Sequence, residues 1–311
     1  MKDQTYSRTA ESMAIVRAIE YTARPPAGRI LSDPWAARFI QNKFMRTTLR
    51  FPLLTRALSS ISAFWLPGAQ EYVLVRARLV DDLSAQLAEQ DLEQLAILGA
   101  GFDTTIFRLQ DKLRRIQVFE VDHPATQAVK TAVLSNMTLP SNVRFIPVDF
   151  EKDDFVERLI SSGFKPGRRS LITWLGVSYY LTSQAAATTL SQIAALCSPG
   201  SHLIFDYVLE SVIAGTATSR AARAGIKHAA RLGEPFHFGM DPDRISAYLS
   251  NLGFRLVRQY DWLQLQSRYC TPDRAPVDFT RIAVCQRINS RPSHRDAPGS
   301  HQSHHRGLIR N

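Results

Sequence analysis

Cysteine is scarce and unpatterned in this sequence. Of 311 residues only Cys197, Cys270 and Cys285 are cysteines, an odd, widely spaced set with no Cys-x-x-Cys. A disulfide framework and a structural zinc site are both disfavoured, and the set suits a reducing compartment. Long apolar runs are missing too: no window approaches the roughly 18 uninterrupted apolar residues of a membrane span. The start, Met1-Lys2-Asp3-Gln4, is polar and lacks the charged-then-apolar order of a secretory signal, so a cytoplasmic protein is expected. Neither a metal nor a membrane is expected as a partner.

A basic stripe interleaved with aromatics is also lacking. The net charge is +10, but Arg287 to Asn311 holds five arginines against one aspartate. The remaining cations are scattered, with short pairs such as Arg114-Arg115 and Arg168-Arg169. Nucleic acid is therefore not an expected partner. The stretch 289–311 is Ser, His, Arg, Pro and Gly. It has too little apolar content to fold, and its four dispersed histidines read as a polar tail, so a disordered segment is predicted.

What is present begins with a helical stretch. Residues 1–90 read as a helical N-terminal cap. Thr9 to Tyr21 holds good helix formers and Pro25-Pro26-Ala27-Gly28 ends the run. Asp33-Pro34 can open the next helix, with Asp33 as its cap. Residues 40–66, rich in Phe, Leu and Trp, read as a helix packed on the core, with a lid over a substrate pocket as the alternative.

From about residue 94 the period changes. Five apolar runs follow: 95–98, 116–122, 143–149, 170–175 and 202–207. Helical stretches at 125–134, 153–162 and 183–197 separate several of them, and 254–262 and 279–287 look like two further strands. Alternating apolar strands and helices predict an α/β fold: a doubly wound, mostly parallel, Rossmann-like sheet covered on both faces. That domain spans 91–288, interrupted at about 209–240 by a mixed insertion of the kind that lids an active site.

The chemistry-bearing residues sit at successive strand ends. Gly99-Ala100-Gly101-Phe102-Asp103 follows the first strand, where small residues let a ligand approach the backbone. Thr104 stands where a dinucleotide fingerprint has its third glycine, so no pyrophosphate cradle is implied. Asp122 ends the second strand, 23 residues after Gly99. It could take both ribose hydroxyls of an adenosine, or simply cap the helix before Pro124. Asp149-Phe150 ends the third strand and could hold an adenine by its amine and ring face, or again be a cap. Together the three describe an adenosine site without a pyrophosphate.

Several ordered motifs then carry a resemblance. They are Ile97-Leu98-Gly99-Ala100-Gly101-Phe102-Asp103-Thr104 with Phe107-Arg108-Leu109, Phe119-Glu120-Val121-Asp122-His123-Pro124 with Lys130, and Val148-Asp149-Phe150. Gly176-Val177-Ser178-Tyr179-Tyr180-Leu181-Thr182 and Ser198-Pro199-Gly200-Ser201 follow. The set resembles the leucine carboxyl methyltransferase superfamily over about residues 6–286. Ser7-Arg8-Thr9-Ala10, Leu31-Ser32-Asp33-Pro34 and Gly233-Glu234-Pro235-Phe236 resemble its bacterial O-methyltransferase branch.

The resemblance implies S-adenosylmethionine (SAM) as cofactor, held by Gly99, Ala100, Gly101, Asp122, Asp149 and Phe150. It implies Arg76 on the methionine carboxylate of SAM, a pairing that guanidinium geometry suits. Leu175 stands where protein-methylating members have Glu, which weakens a protein substrate and points to small-molecule members. The expected activity is O-methylation of a carboxylate, or a hydroxyl, on a small molecule. A protein carboxyl methyltransferase and a non-catalytic SAM-binding protein are the alternatives. A nicotinamide dehydrogenase is disfavoured by the incomplete glycine fingerprint, and a nucleic-acid amino-methylating enzyme by the missing Asn/Asp-Pro-Pro-Tyr. Arg8, Tyr179, Tyr180 and His237 are the candidates for the acceptor pocket. Oligomeric state, acceptor and pathway are not legible.

Overall fold

A computed structural model describes residues 6–150, 152–231, 233–271 and 274–288. The tail expectation, 289–311, lies outside the described residues.

The N-terminal part is helical: α1 (Arg8–Ala23), α2 (Lys43–Thr48), α3 (Pro52–Trp65) and α4 (Ala69–Ala88). Ser7 caps α1, its hydroxyl accepting from the Ala10 amide at 3.1 Å. The alternating part runs β1 (Gln94–Leu98), α5 (Thr105–Arg108), α6 (Gln110–Leu113), β2 (Gln117–Asp122), α7 (Pro124–Leu134) and β3 (Val143–Pro147). It continues with α8 (Phe155–Ser161), β4 (Ser170–Trp174), α9 (Ser183–Leu196) and β5 (His202–Leu209). After β5 come α10 (Glu210–Ile213), α11 (Arg220–Arg231), β6 (Gly239–Met240) and α12 (Ile245–Asn251). The chain closes with β7 (Phe254–Tyr260), α13 (Trp262–Tyr269) and β8 (Thr280–Arg287).

The sheet order is β3-β2-β1-β4-β5-β8-β7, with β6 pairing β5. Strands β1 to β5 pair with one another in parallel, and β8 runs antiparallel to both β5 and β7. The α/β, mostly parallel architecture expected from the apolar runs is what forms. Alternation explains the two-sided burial. Leu95 and Ile97 face α1 and α4, meeting residues such as Ala14, Val75 and Leu79. Ala96 and Leu98 face the opposite layer, with Leu159 of α8 and Leu190 of α9. Order reverses between β1 and β4, so a crevice opens at their carboxyl ends, where doubly wound sheets bind ligands.

Two local expectations change. Asp33 does accept the Trp35 and Ala36 amides, both at 3.1 Å, but only a single 3-10 turn, Ala36–Phe39, follows. Its second oxygen anchors a buried network instead, with Arg17 at 2.9 Å and the Thr104 hydroxyl at 2.6 Å. Residues 40–66 form α2 and α3, but none of them lines the crevice cavity described below. Helix α3 packs on α1 with Thr55 and Leu58 inward, while most of its large apolar side chains face out.

Candidate active site

Strand β1 ends in a loop shaped by glycine. Gly99 adopts φ +70°, and a Cβ there would come within 2.5 Å of the Val177 Cγ2, so only glycine passes. The Gly99 and Ala100 amides both donate to the Val121 carbonyl, at 2.9 and 3.0 Å, which carries the loop across the end of β2. There the Asp122 carboxylate accepts from two amides, Gly101 through Oδ2 at 2.5 Å and His123 through Oδ1 at 2.7 Å. Each oxygen keeps a second lone pair. Burial pushes the Asp122 carboxyl up, the two backbone donors opposing it. His123 caps α7, its Nδ1 accepting from Ala125 at 3.2 Å.

The loop is braced from behind. Arg17 donates to the Phe102 carbonyl at 2.6 Å and Lys130 to the Asp103 carbonyl at 2.7 Å. Burial works against Asp103 ionising, but Arg108, Lys130 and Arg17 outweigh it and hold its carboxyl below the usual range. Thr104, in place of the third glycine, is fully buried and spends its hydroxyl on Asp33.

Beyond the loop lies one cavity of about 460 Å³, within the range of small-ligand sites, about 300–1,000 Å³. It brings Gly99, Ala100, Gly101, Asp103, Asp122 and Phe150 together with Arg76, Tyr179, Tyr180, Glu234 and His237. Met13 and Thr9 of α1 wall it, and the Thr9 hydroxyl donates to Glu234 Oε2 at 2.6 Å, tying α1 to the segment after α11. That segment is held again where the His237 amide donates to the Tyr179 carbonyl at 2.8 Å. Phe236 packs edge-on to the Tyr179 ring, centroids 5.2 Å apart.

Arg76 lies beneath Gly176, whose φ is +74° and whose added Cβ would sit 3.2 Å from the guanidinium. The Arg76 Nη1 donates to Asp206 Oδ2 at 2.6 Å, and Asp206 also accepts from the Tyr72 hydroxyl and the Gly176 amide, each at 2.8 Å. Burial alone would lower the Arg76 pKa, but the Asp206 carboxylate more than offsets it and the guanidinium stays charged. For both tyrosines burial itself acts upward: reinforced by nearby Asp206 for Tyr179 and by Glu234 for Tyr180, it raises each phenol and keeps it protonated.

Most of the expected residues thus share one cavity. Two do not. Arg8 is exposed on the first turn of α1 and does not line it. Asp149 does not line it either: it pairs with Lys152 Nζ at 3.1 Å and stands 3.9 Å from His123 Nε2. Asp206 was missed, although a carboxylate inside the apolar run His202–Leu209 is itself a signal. Leu175, in place of the family's Glu, lines the cavity without a charge. Among the described residues no group of three or more His, Cys, Asp or Glu gathers as for a metal.

Residues 10–194 match the sequence profile of the leucine carboxyl methyltransferase family. The chain belongs to that family. It is 41% identical over 145 residues to the Bacillus subtilis protein YktD, covering 46% of this chain and 47% of that one, so the match spans about half of each. A Mycobacterium avium relative is 26% identical over 265 residues, covering 80% and 83% of the two chains. Both are named as S-adenosyl-L-methionine-dependent methyltransferases. Among solved structures, a Thermobifida fusca protein described as a methyltransferase superposes with TM-score 0.56 at 16% identity, over 92% of this chain and 96% of that one. A DUF574-family protein from Streptomyces avermitilis gives 0.57 at 12%, over 88% and 96%. These two likenesses concern the fold. Family membership places the chain among SAM-dependent methyltransferases, with SAM as cofactor.

The donor set fits that cofactor. Asp122 retains a lone pair on each oxygen for two vicinal hydroxyls, and the half-exposed Phe150 presents a ring. Asp103 is an ionised carboxylate facing the same space. Arg76 has N–H groups beyond the one given to Asp206.

Proposed function

We propose that the protein is a SAM-dependent O-methyltransferase acting on the carboxylate of a small molecule, with a hydroxyl as the second choice of acceptor. The observation that carries this reading is the pair Tyr179 and Tyr180. They line the same cavity as the Gly99–Asp103 loop and stay protonated, so they offer hydrogen-bond donors and no base.

Asp122 would take the ribose hydroxyls, Phe150 would pack on the adenine, and Arg76 and Asp103 would hold the carboxylate and ammonium of the amino-acid end. Bound there, SAM supplies a methyl group on a positively charged sulfur. The chain's own task is alignment and exclusion of water. The segment Gly233–His237 and the first turns of α1 wall the cavity, joined by the Thr9–Glu234 hydrogen bond, and would help to exclude water from a bound cofactor and acceptor. A carboxylate acceptor has a reference pKa near 4 and is ionised at neutral pH, so it needs donors to aim it and no base to deprotonate it. Tyr179 and Tyr180 supply such donors. A phenol, with a reference pKa near 10, would need a base.

The test is a panel of carboxylic acids and phenols incubated with the protein and SAM, read by mass for one added methyl group. Methyl esters from the acids, at rates flat with pH above about 6, are expected. Products from phenols alone, at rates rising with pH, would move the reading to a hydroxyl acceptor. SAM binding with no product from any acceptor would favour a regulatory protein.

A further inference from the structure

Helix α3 is amphipathic the wrong way round for a core helix. Its inward face carries Thr55, whose hydroxyl donates to the Thr48 carbonyl at 3.0 Å, and Ser59, bonded to Gln70 at 2.9 Å, with Leu58 as its one large apolar contact to the core. Its outward face carries Leu53, Leu54, Ile61, Phe64 and Trp65, with Leu53 77% and Trp65 71% exposed. Phe44 of α2 and Phe51 at the start of α3 extend this surface. Apolar patches of this kind mark interaction sites.

The two segments that build the patch carry cations and no acids of their own. From Pro34 to Gln70 the sequence has five Lys or Arg residues and no Asp or Glu. Helix α11 adds Arg220, Arg223, Lys227 and Arg231, at three- and four-residue spacing and all exposed, with Ala221, Ala222 and Ala229 turned inward. No acidic residue occurs between Glu210 and Glu234. The two helices meet: Arg220 donates to the Phe64 carbonyl at 2.8 Å, and its guanidinium lies 5.3 Å from the Phe64 ring centroid.

We propose that α3 and α11 together form a docking surface for an anionic lipid membrane, with the α3 apolar face seated at the headgroup boundary and the cations of α11 and the α2–α3 segment on acidic headgroups. Charge complementarity selects this occupant. Bulky Phe, Leu and Trp on one face with Lys and Arg beside it is the composition of interfacial helices, and acidic lipids attract such cations. A second copy fits less well, because a two-fold pairing of this face would bring two predominantly cationic surfaces together, with Asp278, which accepts from the Ser219 hydroxyl at 2.7 Å, as the acid at its edge. Among the described residues no helix is long and apolar enough to cross a membrane. The contact is therefore peripheral, and it revises the expectation of no membrane partner. It also sits close to the site: α3 packs on α1, whose first turns wall the cavity, and α11 leads into Gly233–His237.

The test is co-sedimentation of the full chain with phosphatidylcholine vesicles, with and without phosphatidylglycerol. Binding is expected only with phosphatidylglycerol, weakening as salt rises, with a blue shift of Trp65 emission. Arg223→Gln with Lys227→Gln should cut partitioning roughly tenfold or more. Phe64→Ser with Trp65→Ser should abolish it while the melting temperature holds, since both side chains are exposed. The proposal is overturned if anionic vesicles bring down no protein, or if the Phe64→Ser, Trp65→Ser variant binds them as well as the parent. It is overturned equally if the parent forms a concentration-dependent dimer that this variant loses, which would give the face to a second copy.

Discussion

Replacing Arg76 by Met separates two roles that the structure gives one side chain. Its partner Asp206 is fully buried, and the pair is joined at 2.6 Å with the Arg76 side chain 12% exposed. Breaking a buried pair from one side costs about 3–5 kcal/mol, because the other charge is left uncompensated. Asp206 would still accept from Tyr72 and Gly176, which puts the expected loss near the lower bound, about 3 kcal/mol. Adding Asp206→Asn removes the stranded charge, and the residual loss should shrink to about 1 kcal/mol, the worth of an ordinary hydrogen bond. Denaturant unfolding of the parent, both single variants and the double variant gives the cycle. Titration of the folded double variant then reads the second role. SAM should weaken by roughly tenfold to a hundredfold, the worth of a hydrogen bond to a charged group, while adenosine, which lacks the carboxylate, keeps its affinity. The reasoning fails if Asp206→Asn does not relieve Arg76→Met. The cofactor role fails if adenosine weakens as much as SAM.

Asp122→Ala should weaken SAM and adenosine alike, by about tenfold or more, since both carry the ribose hydroxyls; calorimetry with an unaffected adenosine affinity would reduce Asp122 to a loop brace. Stability should depend on pH through Glu120, which is fully buried against Lys130. Burial pushes its carboxyl up to about 7, Lys130 only partly opposing this. A raised folded-state pKa means the native state holds the proton more tightly, so the stabilisation is complete below about 4.5 and is lost as pH rises through about 7. Glu71, Asp81 and Asp122 are raised in the same sense. His202 and His228, lowered by burial, work in the opposite sense over the same range, so the Glu120 part is read by difference: Glu120→Gln should make the change in melting temperature from pH 4.5 to 7 more favourable than in the parent, and an unchanged slope would remove Glu120 as a source.

The parallel sheet was legible because its strands are buried on both faces and so read as unbroken apolar runs between helical stretches. The glycine loop and Asp122 were legible because their spacing follows from chain geometry at a strand end. What failed to show depends on contacts far apart in sequence. Asp33 looked like a cap, and it does bind two amides, yet its buried oxygen meets Arg17 and Thr104 from other elements. Asp206 was hidden inside an apolar strand, its partner Arg76 lying 130 residues away. Asp149 ends the third run as expected, but the turn behind it brings Lys152 to its carboxylate. The α3 surface misled in the opposite way. Residues 40–66 read as a helix packed on the core, and α3 does pack on α1 through Thr55 and Leu58, yet most of its large apolar side chains face outward.

The central claim is that the strand ends hold the adenosine of SAM and not a dinucleotide. Isothermal calorimetry of the full chain with SAM, S-adenosylhomocysteine and NAD tests it directly. Saturable binding of SAM and S-adenosylhomocysteine, with no heat from NAD, is the expected result. Tight NAD binding with no binding of SAM would contradict the account.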